Sequence, residues 1–189
     1  MKIIPPFLAV MLSAACVLTG CQSPKVRTPG ESSAAPTTRN NCYSLLHQLL
    51  NDQKNVSLLR FIKREQDDVK KLVKKIAANS ATGAKLLEEF ARHDPSINLD
   101  EIRLPPGEAA TREAIASTRK KELLGQTGDE FELSLLLTQA EALSYASHLA
   151  RVAGENESQP DRARALAGLS EDMENLYHEV FVLLLSKAK

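Results

Sequence analysis

Proline and glycine, the residues that most often end helices, are absent between Asn41 and Thr82 and only punctuate the chain after that. They recur at Gly83, Pro95, the Pro105-Pro106-Gly107 cluster, Gly125, Gly128, Gly154, Pro160 and Gly168. Between these points apolar residues recur at helical spacing, whereas alternating runs rich in Val, Ile and Thr are missing. The sequence therefore predicts an all-α domain.

The predicted architecture is an antiparallel helical bundle of four to five helices over residues 41–189. The apolar face of the first long segment changes side near residues 51–55, which predicts a break there. A shorter helix is expected over about residues 81–92, followed by helices over about 108–124, 130–153 and 158–186. Thr127 fits the N-cap of the fourth predicted helix and Gly154 its C-cap.

The last two predicted helices each carry one apolar stripe, and a short loop between them favours an antiparallel hairpin. The earlier helices must cover the apolar side of this hairpin, which completes the bundle. The predicted core includes residues from both stripes: Phe131, Leu135, Leu149, Met173, Tyr177 and Leu184.

The N-terminus has the pattern of a signal peptide. Lys2 precedes an uncharged apolar run, residues 7–18, which is too short to span a bilayer. The run ends in Leu18-Thr19-Gly20-Cys21, which resembles the lipobox of bacterial lipoproteins. The resemblance implies that residues 1–20 are removed and that Cys21 carries the lipid. Gln22 stands where an Asp would imply retention in the inner membrane, so outer-membrane sorting, facing the periplasm, is expected in a Gram-negative host.

Residues 21–40 are predicted to form a disordered tether between the lipid and the bundle. The segment from Gln22 to Asn40 is rich in Pro, Ser and Thr and has almost no apolar residues. Such a segment cannot bury enough surface to offset the entropy lost on ordering. We therefore expect the folded domain to begin near Cys42.

The composition of the chain disfavours several classes of binding site. The formal net charge is +0, aromatic residues make up 4% of the chain, and Trp is absent. These properties disfavour nucleic-acid binding and aromatic stacking platforms. Cys42 is the only cysteine in the predicted domain, so it is either a free thiol or paired with another chain. No nucleophile elbow, phosphate loop or dinucleotide motif is present.

Two acid–histidine pairs have spacings that place them on one side of a helix: Glu141 with His148, and Glu174 with His178. Both pairs project away from the apolar stripes, which predicts solvated faces, and no metal or other cofactor is expected. Gln139 is the one polar residue inside the stripe of its helix. A buried Gln there would fix helix register or contact a ligand.

The region from Lys121 to Leu185 resembles an uncharacterised group of exported bacterial proteins with a ferritin-like helical bundle. The shared residues are Leu123-Leu124, Gly128, Phe131-Glu132, and Leu176 two positions before His178. The resemblance implies a helical bundle. The Asp-His pair of the group's first long helix is missing here, and His148 lies later than the group's central histidine, so no ligand set is transferred.

Two hypotheses about function follow from the sequence. The first is a membrane-anchored envelope lipoprotein that acts as a non-enzymatic protein-interaction or structural module. The second is a metal- or small-ligand-binding bundle of the ferritin-like type. Carboxylates and histidines that converge inside the bundle would favour the second, whereas a dry core with an exposed apolar groove would favour the first.

Overall fold

The structure is a computed structural model that describes residues 31–56 and 66–187, with side chains described from Thr37 onward. Within these ranges the chain is helical and contains no strand, which confirms the predicted all-α class. The helices are α1 (Glu31–Lys54), α2 (Asp67–His93), α3 (Pro106–Gly125), α4 (Gly128–Glu155) and α5 (Pro160–Lys187). The predicted signal peptide, Cys21 and residues 57–65 of the first predicted helical segment lie outside the described residues.

The first helix begins earlier than the sequence predicted. α1 starts at Glu31, so residues 31–40 of the segment predicted to be a disordered tether are helical. Arg39 is buried and donates to the Ser96 hydroxyl at 2.9 Å, while Asn40 donates to the Ser96 carbonyl at 2.7 Å. Polar composition alone predicted disorder, but these long-range hydrogen bonds connect the segment to the bundle.

The short helix predicted over residues 81–92 is part of one long helix. α2 continues through Gly83 without interruption. A Cβ atom at Gly83 would lie 2.9 Å from Leu169 Cδ1 and 3.0 Å from Leu50 Cδ1. The glycine therefore allows α1 and α5 to approach α2 closely, and it does not end the helix.

One of the two predicted cap positions agrees with the structure and the other differs. Thr127 occupies the N-cap position of α4, but its side chain makes no capping hydrogen bond. Gly154 lies inside α4, whose C-cap is Asn156. A Cβ atom at Gly154 would lie 3.4 Å from the Ala163 carbonyl oxygen of α5, so this glycine too serves close helix packing.

The four long helices form a square in which every neighbouring pair is antiparallel. α1 contacts α2 and α4, and α5 contacts α4 and α2. Lys187 near the end of α5 lies 3.4 Å from Asp68 at the start of α2, and Arg162 near the start of α5 lies 2.8 Å from Asp94 after α2. Diagonal helices are therefore parallel.

The remaining helix, α3, is a crossover that returns the chain along the outside of α4. Arg112 near its start donates to Tyr145 at 2.7 Å, and Arg119 near its end donates to Glu141 at 3.1 Å. None of its residues is buried. The four long helices therefore form a bundle in which one long crossover joins the second helix to the third.

Residues from α1, α2, α4 and α5 together form the core. The largest fully buried side chains are Tyr43, Phe131, Leu46, Leu50, Ile76, Leu87, Leu135, Leu136, Leu143, Leu166, Met173 and Leu176. Four predicted core residues are buried: Phe131, Leu135, Leu149 and Met173. The other two, Tyr177 and Leu184, are partly buried and pack against the core. In the part of the chain that the structure describes, no helix has the length and apolarity needed to cross a membrane.

Candidate interaction surface

A buried ion network joins α1 to the turn between α4 and α5. The Glu157 side chain is fully buried; its Oε2 accepts a hydrogen bond from Tyr43 at 2.8 Å, and its Oε1 accepts one from Arg162 at 3.0 Å. Arg39 lies 3.7 Å from the same Oε1. Arg162 also binds Asp94 at 2.8 Å. Each carboxylate is therefore paired with at least one guanidinium, as buried charge requires.

The pKa values of the network follow from these contacts. The pKa of Asp94 falls to about 2, because the Ser96 hydroxyl and backbone N–H donate to its carboxylate and Arg162 adds a positive charge. Burial acts to raise the pKa of Glu157, but the hydrogen bonds from Gln159, Tyr43 and Arg162 outweigh burial and lower it. The Asp94 and Glu157 carboxylates are both charged at neutral pH, and each already accepts hydrogen bonds from its partners in the network. The network therefore stabilises this end of the bundle.

A second network closes the opposite end of the bundle. Glu132 in α4 is buried, accepts a hydrogen bond from the Gln66 backbone N–H, and pairs with Lys187 at 2.9 Å. Lys187 lies 3.4 Å from Asp68 as well. Burial acts to lower the pKa of Lys187, but Glu132 and Asp68 outweigh it and raise that pKa.

The acid–histidine pair on α4 does not converge on a common point. Glu141 and His148 are both exposed. Glu141 accepts hydrogen bonds from Arg119 of α3 at 3.1 and 3.3 Å. The His148 Nδ1 atom lies 2.7 Å from the Ser144 carbonyl oxygen of its own helix. The pair therefore faces solvent and α3, away from the interior of the bundle.

The pair on α5 lies together on the surface. Glu174 and His178 are 3.9 Å apart, with side chains that are 63% and 64% exposed. The remaining histidines lie beside surface acids: His47 is 3.2 Å from Glu88, and His93 is 3.1 Å from Glu89. Across residues 31–56 and 66–187, no group of three or more His, Cys, Asp or Glu side chains is arranged to hold a metal ion.

Gln139 and Cys42 lie inside the bundle. Gln139 is 2% exposed, in agreement with its position in the apolar stripe of α4, and its Oε1 accepts no hydrogen bond from the described residues. Cys42 is buried, and burial raises the pKa of its thiol, so the neutral form is favoured. Buried neutral thiols are poor nucleophiles.

The C-terminal half of α5 exposes a cluster of apolar side chains. Val182 is 68% exposed, Leu185 50% and Phe181 43%, and Tyr177 stacks on Phe181 with ring centroids 6.0 Å apart. Leu137 on the neighbouring α4 is 44% exposed. We call Phe181, Val182 and Leu185 the α5 patch. Neighbouring exposed apolar residues of this kind mark interaction sites more often than isolated ones do.

An open groove of about 640 Å³ runs beside the α5 patch, between α2 and α5. Val182, Leu183 and Leu72 supply its apolar lining, and Lys71 and Lys75 are on its α2 rim. Lys75 pairs with Glu179 across the groove. The groove therefore combines an apolar floor with charged rims, as protein interfaces do.

Sequence reasoning missed both the network around Glu157 and the α5 patch. The network joins residues far apart in the chain, and no local spacing marks them. The patch did leave a signal, because residues 180–185 read VFVLLL. A helix turns one side to the core, so six consecutive apolar residues exceed what that side can bury.

Comparison with known proteins adds no relative. No protein-family model, curated protein or solved structure matches the chain.

Proposed function

We propose that the chain is a membrane-anchored lipoprotein of the cell envelope whose helical bundle is a non-enzymatic protein-interaction module. The anchor is the lipid on Cys21, supported by the Leu18-Thr19-Gly20-Cys21 sequence at the end of the apolar run. In a Gram-negative host the bundle would face the periplasm from the outer membrane.

The observation that carries the interaction role is the α5 patch. α5 already buries Met173, Leu176 and Val180 in the core. Val182 and Leu185 on the same helix nevertheless remain at least half exposed. Each large apolar side chain left in water forgoes about 1.5–3 kcal/mol. A protein partner that covers the α5 patch would recover part of that free energy.

The buried polar groups support a structural role for the bundle interior. Glu157 and Glu132, the buried carboxylates, are each held by a basic side chain. Glu132 lies near the start of α4 and Glu157 in the turn that follows α4, so their ion pairs set how the helices meet at the two ends of the bundle. A rigid bundle of this kind presents a surface without rearrangement, which lowers the entropy lost on binding.

Metabolic labelling with a clickable palmitate analogue tests the anchor. The unaltered chain should take up label and remain in the membrane fraction, whereas Cys21→Ala should lose both properties. A Cys42→Ala variant is the matched control and should label normally. Label that persists in Cys21→Ala would contradict the assignment.

Site-specific photo-crosslinking tests the interaction role. A photoreactive residue at Val182 should give a discrete adduct with a protein in intact cells. The same residue at Ile115, which is 55% exposed on α3, should not. Equal adducts at both positions, or none at Val182, would contradict a specific interface.

The alternative is a metal- or small-ligand-binding bundle of the ferritin-like type. The observation that favours it is the single crossover connection between α2 and α4, which is an analogy of fold. Elemental analysis of untagged protein purified without chelator tests it. Near-stoichiometric iron, zinc or manganese that is lost in His148→Ala or His178→Ala would support this alternative.

A further inference from the structure

We propose that α3 unfolds and re-forms while the other four helices stay packed, and that its open state uncovers the outward side of α4. Salt concentration sets how often this happens. Neither the lipid anchor nor the α5 patch is needed for this behaviour. The observations that carry it are the small polar contact between α3 and the bundle and the way in which the two ends of α3 are held.

α3 differs from the other helices because it has no buried side. α1, α2, α4 and α5 all contribute residues to the core, whereas no residue of α3 is buried. Packing of an apolar side provides most of the stability of a helix in a folded protein, and intrinsic propensity provides less. The N-cap position of α3 is Pro105, which has no side-chain acceptor. α3 therefore lacks the usual sources of helix stability.

Two arginines make the polar contacts that hold α3 against α4. Arg112 donates a hydrogen bond to the Tyr145 hydroxyl at 2.7 Å. Arg119 donates to Glu141 at 3.1 Å, and the two side chains of this ion pair are 34% and 54% exposed. Exposed ion pairs contribute little to stability, and salt screens them. The contact is therefore weak, and higher ionic strength weakens it further.

The chain is fixed to the bundle at both ends of α3. Leu104, just before α3, and Leu123, in its last turn, are partly buried and pack against the core. At about 1.5 Å per residue, a helix from Leu104 to Leu123 spans roughly 28 Å, and an unfolded chain of the same length can span more than twice that distance. α3 can therefore unfold without any movement of these two anchors or of the bundle.

The residues beside these anchors limit the unfolding to α3. Pro106 has no backbone N–H, so it forms no helical hydrogen bond with the loop before it. At the other end, Gly128 is the one described residue with a positive φ, +60°, which separates the backbone of α3 from that of α4. Loss of the α3 helix therefore does not extend into α4.

The open state changes which groups are available at the surface. Tyr145 and Glu141 lose Arg112 and Arg119 as partners, and the outward side of α4 that carries them becomes accessible. The two arginines become part of a flexible loop. Because the contacts are polar, a rise in salt concentration should increase the fraction of open molecules.

Hydrogen exchange of the full-length protein in mild detergent, followed by mass spectrometry, tests the proposal. We expect protection factors across residues 109–122 to be at least about a hundredfold lower than across residues 139–150 of α4. A rise in NaCl from about 0.05 M to about 1 M should lower protection in α3 about twofold to fivefold and leave that of α4 unchanged.

Variants of the two arginines test the contact itself. The double variant Arg112→Ala with Arg119→Ala should lower protection in α3 by a further factor of about five and leave α4 and α5 unchanged. Arg164→Ala is the matched control, because Arg164 forms an exposed ion pair with Asp161 within α5. Protection of α3 should be the same in Arg164→Ala as in the unaltered protein.

A matched pair of prolines tests whether the bundle needs α3. Ile115 is exposed in the middle of α3, and Glu174 is exposed in the middle of α5. Ile115→Pro should change the melting temperature by no more than about 2 °C, whereas Glu174→Pro should lower it by about 6–12 °C, because a proline inside a helix removes a hydrogen bond and clashes with the preceding turn.

The outcomes are distinct. Low protection confined to α3, together with a large effect of Glu174→Pro and a small effect of Ile115→Pro, supports independent unfolding of α3. Protection in α3 equal to that in α4 would overturn the proposal. Equal loss of melting temperature in the two proline variants, or equal loss of protection in α3 and α4 in the double arginine variant, would also overturn it, because α3 would then unfold only with the whole bundle.

Discussion

Tyr43 in α1 donates its phenolic hydrogen to Glu157 Oε2 at 2.8 Å, although the two residues are 114 positions apart. The bond joins the first helix to the turn between α4 and α5. Burial, followed by the hydrogen bond to the Glu157 carboxylate, raises the pKa of Tyr43, so the phenol stays neutral. Arg162 balances the charge of Glu157, and the side chains of Tyr43 and Glu157 are fully buried.

Removal of the Glu157 carboxylate should destabilise the bundle strongly. Glu157→Ala leaves Arg162 buried with one partner fewer and Tyr43 without an acceptor. Breaking a buried ion pair in this way costs about 3–5 kcal/mol. Tyr43→Phe removes one hydrogen bond and should cost about 1–3 kcal/mol. Urea denaturation followed by circular dichroism measures both.

Glu155 provides a matched control for these variants. It is exposed and lies in the same region of the chain. Glu155→Ala should change the free energy of unfolding by no more than about 0.5 kcal/mol. If Glu157→Ala and Glu155→Ala unfold at the same urea concentration, the network does not stabilise the fold.

The network should make stability sensitive to acid. The pKa of Asp94 is about 2 in the folded chain and about 4 in an unfolded one. A lowered folded-state pKa stabilises the fold above the unfolded value, and the stabilisation is lost as pH falls from about 4 to about 2. Glu157 acts in the same direction, because its pKa is also lowered.

Asp94→Asn tests this contribution separately from that of Glu157. The variant should be less stable than the unaltered protein at pH 7, and the difference should shrink as pH falls from about 4 towards about 2. Melting temperatures measured at intervals of pH give the comparison. A difference that stays constant between pH 7 and pH 2 would show that the Asp94 charge is not involved.

Much of the fold can be predicted from the local spacing of apolar residues, but the polar networks cannot. Apolar stripes placed Phe131, Leu135 and Met173 in the core because helical spacing fixes which side of a helix is buried. Arg39 gave no such signal, since it lies in a polar segment whose partner, Ser96, is distant in sequence. Composition reports the average tendency of a segment and cannot reveal a specific long-range hydrogen bond.

The glycines show a second limit of local reasoning. Gly83 and Gly154 fit the sequence pattern of helix ends, yet both lie inside helices where another element approaches. A glycine permits a turn and also permits close contact, and sequence alone does not distinguish these uses. The α5 patch is different, because the apolar excess of residues 180–185 was visible in the sequence.

Proteolysis should distinguish the helical part of the predicted tether from the rest. Arg39 is 8% exposed and bonded to Ser96, so trypsin should cleave poorly after it. Arg27 lies in the part of the segment whose composition predicts disorder, and cleavage should occur there first. Mass spectrometry of the stable fragment identifies its first residue. A fragment that begins at Asn40 would show that α1 is not packed at this point.

A valine in place of Gly83 should lower the stability of the bundle. Its added Cβ would already meet Leu169 and Leu50 at 2.9 and 3.0 Å, and the branches of valine would reach further. Overpacking of this kind costs about 1–3 kcal/mol. Gly168 is the matched control, because it lies in α5 with nothing within 4 Å of its added Cβ.

The free energy of unfolding should change in opposite directions in Gly168→Ala and Gly83→Val. Gly168→Ala should raise the free energy of unfolding by about 0.5–1 kcal/mol, since alanine restricts the unfolded chain and favours a helix. Gly83→Val should lower it, and Gly168→Val should lie within about 0.5 kcal/mol of the unaltered protein. Denaturation of the three variants under one condition makes the comparison. Equal values for Gly83→Val and Gly168→Val would mean that α2 does not approach Leu50 and Leu169 as closely as the structure places them.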